Sequence, residues 1–77
     1  MKVLEDIQNI ISEYSGVEKE KINLDSHLRE DLNLDPLSIA DIVSNIESKF
    51  ALKISEEDIM NFDKVSNIVE FIEDQVE

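Results

Sequence analysis

The residues that could do chemistry concentrate in one stretch, "HLREDLNLDPLS", which ends at Ser38. It holds the single histidine, His27, and the carboxylates of Glu30, Asp31 and Asp35. Carboxylate oxygens are the ligands that Mg²⁺ and Ca²⁺ prefer, so we expect weak divalent binding at these three acids. The acidic spacing and central glycine of an EF-hand loop are missing, so no specific metal site is predicted.

The side chains that most enzymes need are scarce. The chain has no cysteine, one histidine and one glycine. It therefore lacks a cysteine nucleophile, a set of transition-metal ligands and a glycine-rich loop that could hold a phosphate group. Because no nucleophile is paired with a base, the sequence indicates a protein that is not an enzyme.

The charge and length restrict the kind of protein further. The 77 residues predict one domain, 1–77, and seven Lys and Arg against nineteen Asp and Glu give a net charge of −12. Such a surface repels nucleic acid and attracts basic patches on partner proteins. No apolar run approaches the roughly 18 residues of a membrane span, and the N-terminus lacks a signal-peptide core. We expect a cytoplasmic monomer without a membrane span.

Hydrophobic periodicity predicts an all-α fold with three main helices and one short helix. The first helix covers 3–14 and ends before Gly16, which suits a helix C-terminus. The second begins at Asp35 as N-cap with Pro36 at the first helical position, and it runs to Phe50. A brief helix follows Ser55, and Asp63 is predicted to cap the last helix. The expected apolar stripes are Val3, Ile7, Ile10, Ile11 and Tyr14; Ile39, Ile42, Val43, Ile46 and Phe50; and Val65, Ile68, Val69 and Ile72.

A long first loop, 17–34, separates the first two helices. Such loops are unusual in compact domains, but Ile22 and four scattered leucines indicate that this one is pinned to the core. Asp25 and Ser26 could start a short helical turn inside it.

Two segments together carry a family resemblance. "EDLNLDPL" followed by "IADIVSNIESKFALKISEEDI" resembles the acyl carrier protein family, and the match extends over essentially the whole chain. The resemblance implies a small four-helix carrier bundle of fatty-acid or polyketide-type synthesis. Members of the family hold their cargo on a 4′-phosphopantetheine arm, esterified to the serine of an Asp-Ser-Leu motif.

At the serine position this chain has Pro36, between the matching Asp35 and Leu37. Proline has no hydroxyl, so no phosphodiester can form there, and the resemblance implies a module without an arm at that position. As an alternative, the arm could sit on Ser38, two residues and about 200° further around the helix. As a third, Pro36 replaces a serine of the natural chain.

The resemblance also implies a docking surface for the basic patches of acyl-chain synthase-type enzymes, on the exposed face of the second helix. Asp35, Leu37, Ala40, Asp41 and Glu47 fit that surface.

Three other positions depart from the family's docking pattern. Ser38 stands where an acid is common, Ser44 replaces a larger apolar residue, and Lys49 reverses a charge. A different class of function, an acidic helical interaction domain without thioester chemistry, therefore remains an alternative.

Overall fold

Four α-helices and one short 3₁₀ turn make up the secondary structure in a computed structural model that describes residues 2–76. The helices are α1 (Lys2–Ser15), α2 (Pro36–Phe50), α3 (Glu56–Met60) and α4 (Val65–Val76). The described residues contain no β-strand, although an isolated antiparallel bridge joins His27 to Lys64. The predicted all-α architecture of three main helices and one short helix is confirmed.

The helices bury the apolar faces that their spacing predicts. The core takes Ile7 and Ile11 from α1, Ile39, Ile42, Val43 and Ile46 from α2, and Val65, Ile68, Val69 and Ile72 from α4. Val3, Ile10 and Phe50 pack against it half-buried. Tyr14 is an exception, because 39% of it is exposed and its hydroxyl accepts a hydrogen bond from Asn45 Nδ2 at 2.5 Å.

Four apolar side chains pin the loop between α1 and α2 to the core. Ile22, Leu28, Leu32 and Leu34 are buried, whereas Leu24 stays 36% exposed. The prediction of a loop attached to the core is therefore confirmed for Ile22 and for three of its four leucines.

Backbone hydrogen bonds tie the same loop to the start of α4. The N–H of Leu28 donates to the carbonyl of Asp63 at 2.9 Å, and the N–H of Val65 donates to the carbonyl of Ser26 at 3.0 Å. A third bond runs from the N–H of Ser66 to the carbonyl of Leu24 at 3.0 Å. These bonds satisfy polar backbone groups that an irregular segment would otherwise leave unpaired.

No helix begins at Asp25 or Ser26, although one hydrogen-bonded turn follows them, in which the N–H of Asp31 donates to the carbonyl of His27 at 3.1 Å. The 3₁₀ turn lies earlier, at Lys19–Lys21. Ser26 is buried, and its hydroxyl accepts a hydrogen bond from the N–H of Asn23 at 3.1 Å. Its side chain thus closes a turn by local side-chain-to-backbone bonding, which competes with helix formation.

The predicted cap of the last helix is wrong, because Asp63 does not cap α4. The side-chain oxygen of Asn67 accepts hydrogen bonds from the N–H groups of Asp63 at 3.0 Å and Lys64 at 2.9 Å. An amide in the first turn thereby binds the chain that enters α4, while the N–H groups of Val65 and Ser66 at the helix start are bonded by the loop carbonyls of Ser26 and Leu24.

Helices α1 and α2 both end in the left-handed conformation. Gly16 adopts a φ of 76° and donates its N–H to the carbonyl of Ser12 at 3.0 Å, as predicted for a glycine at this position. Ala51 adopts the same region with a φ of 53° although it carries a Cβ. An L-residue with a side chain is strained there, so Ala51 stores a small conformational cost.

The acidic surface contains little internal charge pairing. Within residues 2–76, one ion pair is found, between Lys49 Nζ and Asp6 Oδ1 at 3.9 Å. The same residues provide no group of three or more His, Asp or Glu side chains that could hold a metal ion. The weak divalent binding expected at Glu30, Asp31 and Asp35 stays a prediction.

Replacing Ala51 by glycine should raise the free energy of unfolding by about 0.5–1 kcal/mol, because glycine adopts the left-handed conformation without strain. Urea titrations of the wild type and the variant measure this. Ala40→Gly is the matched control: Ala40 is exposed inside α2, so the same substitution should lower stability by about 1 kcal/mol. An equal decrease in the free energy of unfolding in both variants would contradict the strain at position 51.

Salt should raise the melting temperature at neutral pH, because ions screen the repulsion among the carboxylates over a Debye length of about 10 Å at 0.1 M. NaCl and CaCl₂ at equal ionic strength separate this screening from the expected divalent binding, because screening alone gives the same increase in both salts. Thermal melts in both salts test this. A larger increase in CaCl₂ would reveal a divalent site, and an unchanged melting temperature would remove the repulsion argument.

Candidate functional site

The candidate site is built on the first turn of α2. Asp35 is the N-cap in an extended conformation, and its Oδ1 accepts a hydrogen bond from the N–H of Ser38 at 2.7 Å. Pro36 is the first helical residue. The predicted cap and proline position are confirmed. The backbone N–H of Ser38, followed by its hydroxyl, lowers the pKa of Asp35 below its usual value.

Three neighbouring side chains present different chemistry at this turn. Pro36 is exposed and contains no hydroxyl. Leu37 is 74% exposed, which leaves a large apolar side chain in water. Ser38 is half-buried, and its backbone N–H is bonded to the Asp35 carboxylate. The exposed position at the helix start is thus held by a residue that cannot form an ester.

A groove lies between this turn and α3. It has a volume of about 250 Å³. Five apolar residues, one cation and one acid line it: Pro36, Ile39, Ile59, Met60, Phe62, Arg29 and Asp63. Because the lining offers apolar surface and no nucleophile–base pair, the groove is suited to binding and not to catalysis.

Sequence reasoning missed the half of this groove that comes from α3. Met60 is 82% exposed, and Ile59 is half-buried. A signal was available, since a helix of five residues cannot bury two adjacent large apolar side chains on one face. Arg29 has no comparable signal, because its position depends on the path of the long loop.

The predicted docking residues differ in how exposed they are. Asp35, Leu37, Ala40 and Asp41 are exposed at the N-terminal half of α2. Glu47 is half-buried, and its Oε2 accepts a hydrogen bond from the N–H of Ile54 at 2.8 Å.

Two of the positions that the resemblance marks as departures from a docking pattern, Ser44 and Lys49, also lie along α2. Ser44 is exposed on the helix. Lys49 pairs with Asp6 of α1, so its reversed charge is partly compensated within the fold.

A membrane-spanning role finds no support in α1 to α4: within the described chain, each helix is too short or too polar to cross a bilayer.

Similarity to known proteins agrees with this architecture. A family model described as a phosphopantetheine attachment site matches residues 5–72. An acyl carrier protein of Chlamydia trachomatis serovar D is 33% identical over 75 residues, with 97% of each chain covered. Another acyl carrier protein, from Cyanidium caldarium, is 37% identical and covers 97% of this chain and 87% of its own.

A solved structure gives the same result for the fold. An acyl carrier protein from Enterococcus faecalis superimposes with a TM-score of 0.79 at 30% sequence identity, covering 92% of this chain and 90% of its own. The chain therefore belongs to the acyl carrier protein family, a family of carrier proteins and not of enzymes.

Proposed function

We propose that this chain is a carrier-family module of acyl-chain synthesis, of the fatty-acid or polyketide type, that docks onto partner enzymes without an arm at position 36. One observation carries the proposal. Pro36 occupies the exposed first position of α2, directly after the Asp35 cap. The family resemblance matches this position to the serine of the Asp-Ser-Leu motif. Its ring nitrogen and carbons offer no oxygen to a phosphopantetheine group.

The proline removes the attachment chemistry without a cost to the fold. At the first helical position the backbone N–H has no partner within the helix, and the fixed φ of proline is already helical. The Asp35 cap is intact beside it. The module could therefore lose its arm and keep the surface that partner enzymes contact.

We place the docking surface on the N-terminal half of α2. Leu37 and Ala40 give it an apolar centre, and Asp35 and Asp41 give it negative charge. The net charge of −12 speeds encounter with basic patches on synthase-type enzymes. Glu47 contributes less to this docking surface, because its carboxylate is engaged within the fold. In this proposal the chain acts as a cytoplasmic monomer.

A working carrier with its arm on Ser38 is the second candidate function. In its favour, the Ser38 hydroxyl is the nearest one to position 36 along the chain. Against it, Ser38 is half-buried and the preceding residue is Leu37 and not aspartate. A transferase that recognises Asp-Ser would meet a different side chain and a site turned about 200° around the helix.

The third candidate, an acidic interaction domain unrelated to thioester chemistry, is weakened by the family relationship. The relatives named above are acyl carrier proteins over nearly their full length. A carrier-family module without an arm would also act through its surface alone. The first and third candidates therefore differ only in ancestry and in the partners they imply.

Incubation with coenzyme A and a broad-specificity phosphopantetheinyl transferase should leave the wild-type mass unchanged, because residue 36 has no hydroxyl. Intact-mass spectrometry measures this, with an acyl carrier protein that has the Asp-Ser-Leu motif as positive control. A gain of one phosphopantetheine unit that Ser38→Ala abolishes would establish the second candidate. A gain that survives Ser38→Ala would overturn both assignments.

Pro36→Ser should turn the chain into a transferase substrate, since it restores Asp-Ser-Leu at an exposed helix start. The loss of proline should cost a few tenths to about 1 kcal/mol of stability. Pro36→Ala is the matched control: it loses the same ring, gains no hydroxyl and should stay unmodified. If the serine variant folds but gains no mass, the surface that the transferase contacts has diverged, and the docking proposal loses its support.

A further inference from the structure

The link between α2 and α3 is held by one acidic residue. The Oε2 of Glu47 accepts the N–H of Ile54 at 2.8 Å, and its backbone carbonyl accepts the N–H groups of Ala51 and Leu52, the latter at 3.2 Å. Glu47 therefore binds the link at both of its ends, through its side chain and its main chain. The side-chain bond is the one that a substitution at position 47 can remove directly.

Helix α3 depends on this link for its position. It has five residues, and none of them is fully buried. It also packs more loosely against the other helices than α1 packs against α2 and α4. The buried residues that anchor it lie outside the helix, with Ile54 before it and Phe62 after it. A shift at Ile54 is thus transmitted to α3, because α3 makes few contacts of its own to resist it.

The position of α3 in turn sets the shape of the groove beside Pro36. Ile59 and Met60 form its α3 side, and Pro36 and Ile39 form its α2 side. The two sides belong to helices joined by the link that Glu47 holds. The α3 side of the groove is therefore connected to α2 through a link whose hydrogen bond to Glu47 lies at the opposite end of that helix.

We infer that Glu47 is a positioning residue whose carboxylate fixes α3 and thereby the α2–α3 groove. Its Oε2 accepts the N–H of Ile54. Asp41 differs, because it is exposed on the same helix and lies more than one turn away from the link. This role does not depend on whether the chain carries an arm. It also separates α2 into an N-terminal half that faces partners and a C-terminal end that orients α3.

Amide hydrogen exchange measured by NMR tests this assignment. In Glu47→Ala the exchange of the Ile54 amide should accelerate by about tenfold or more, because its acceptor is removed. Glu47→Gln retains a side-chain oxygen at the same place, so it should preserve most of the protection. Asp41→Ala is the matched control, since it removes an acid from α2 and should leave Ile54 unchanged.

The methyl resonances of Ile59 and Met60 report on the groove in the same variants. We expect them to shift in Glu47→Ala and to stay near their wild-type positions in Glu47→Gln and Asp41→Ala. Unchanged Ile54 exchange in Glu47→Ala would overturn the proposal, as would a glutamine variant that behaves like the alanine variant. Faster Ile54 exchange with unmoved methyl resonances would limit Glu47 to the link and contradict its control of the groove. Equal acceleration throughout α1 and α4 would show global destabilisation and contradict a local role.

Discussion

The hydrogen bond from the Ser38 N–H to the Asp35 carboxylate determines where α2 begins, and the geometry of the candidate site follows from it. An N-cap aspartate satisfies one of the N–H groups that a helix leaves unpaired at its start, and its negative charge suits the positive end of the helix dipole. With the start fixed at Asp35, Pro36 falls on an exposed position and Ile39 falls in the core. The chemistry at position 36 can therefore change while the cap and the core around it stay the same.

Much of this arrangement could be predicted from sequence because it depends on local patterns. The α2 stripe, the Asp35–Pro36 start and the Gly16 end each follow from residues within one or two helical turns. The attachment of the long loop could also be predicted, because leucines outside a helix leave water only when the loop lies against the core. The family resemblance then made Pro36 informative, because it indicates that a serine normally occupies that position.

The features that sequence missed depend on contacts between distant segments or on competition among nearby polar groups. Asp63 is a good capping residue by type, yet the first N–H groups of α4 are bonded by carbonyls of the long loop, which only the path of the chain brings there. Glu47 has the spacing of an exposed acid, yet the turn at Ala51 brings the Ile54 N–H back to it. The α3 side of the groove escaped prediction for the same reason, because the link and not the helix positions it.

The three backbone hydrogen bonds that join the long loop to the start of α4 also influence the order of folding. Their partners come from opposite halves of the chain, so on a ribosome the loop emerges long before the residues that pair with it. Contacts between distant segments pay their loop-closure entropy before they gain stability. During synthesis, residues 24–28 of the loop therefore cannot complete these bonds until the start of α4 has left the exit tunnel.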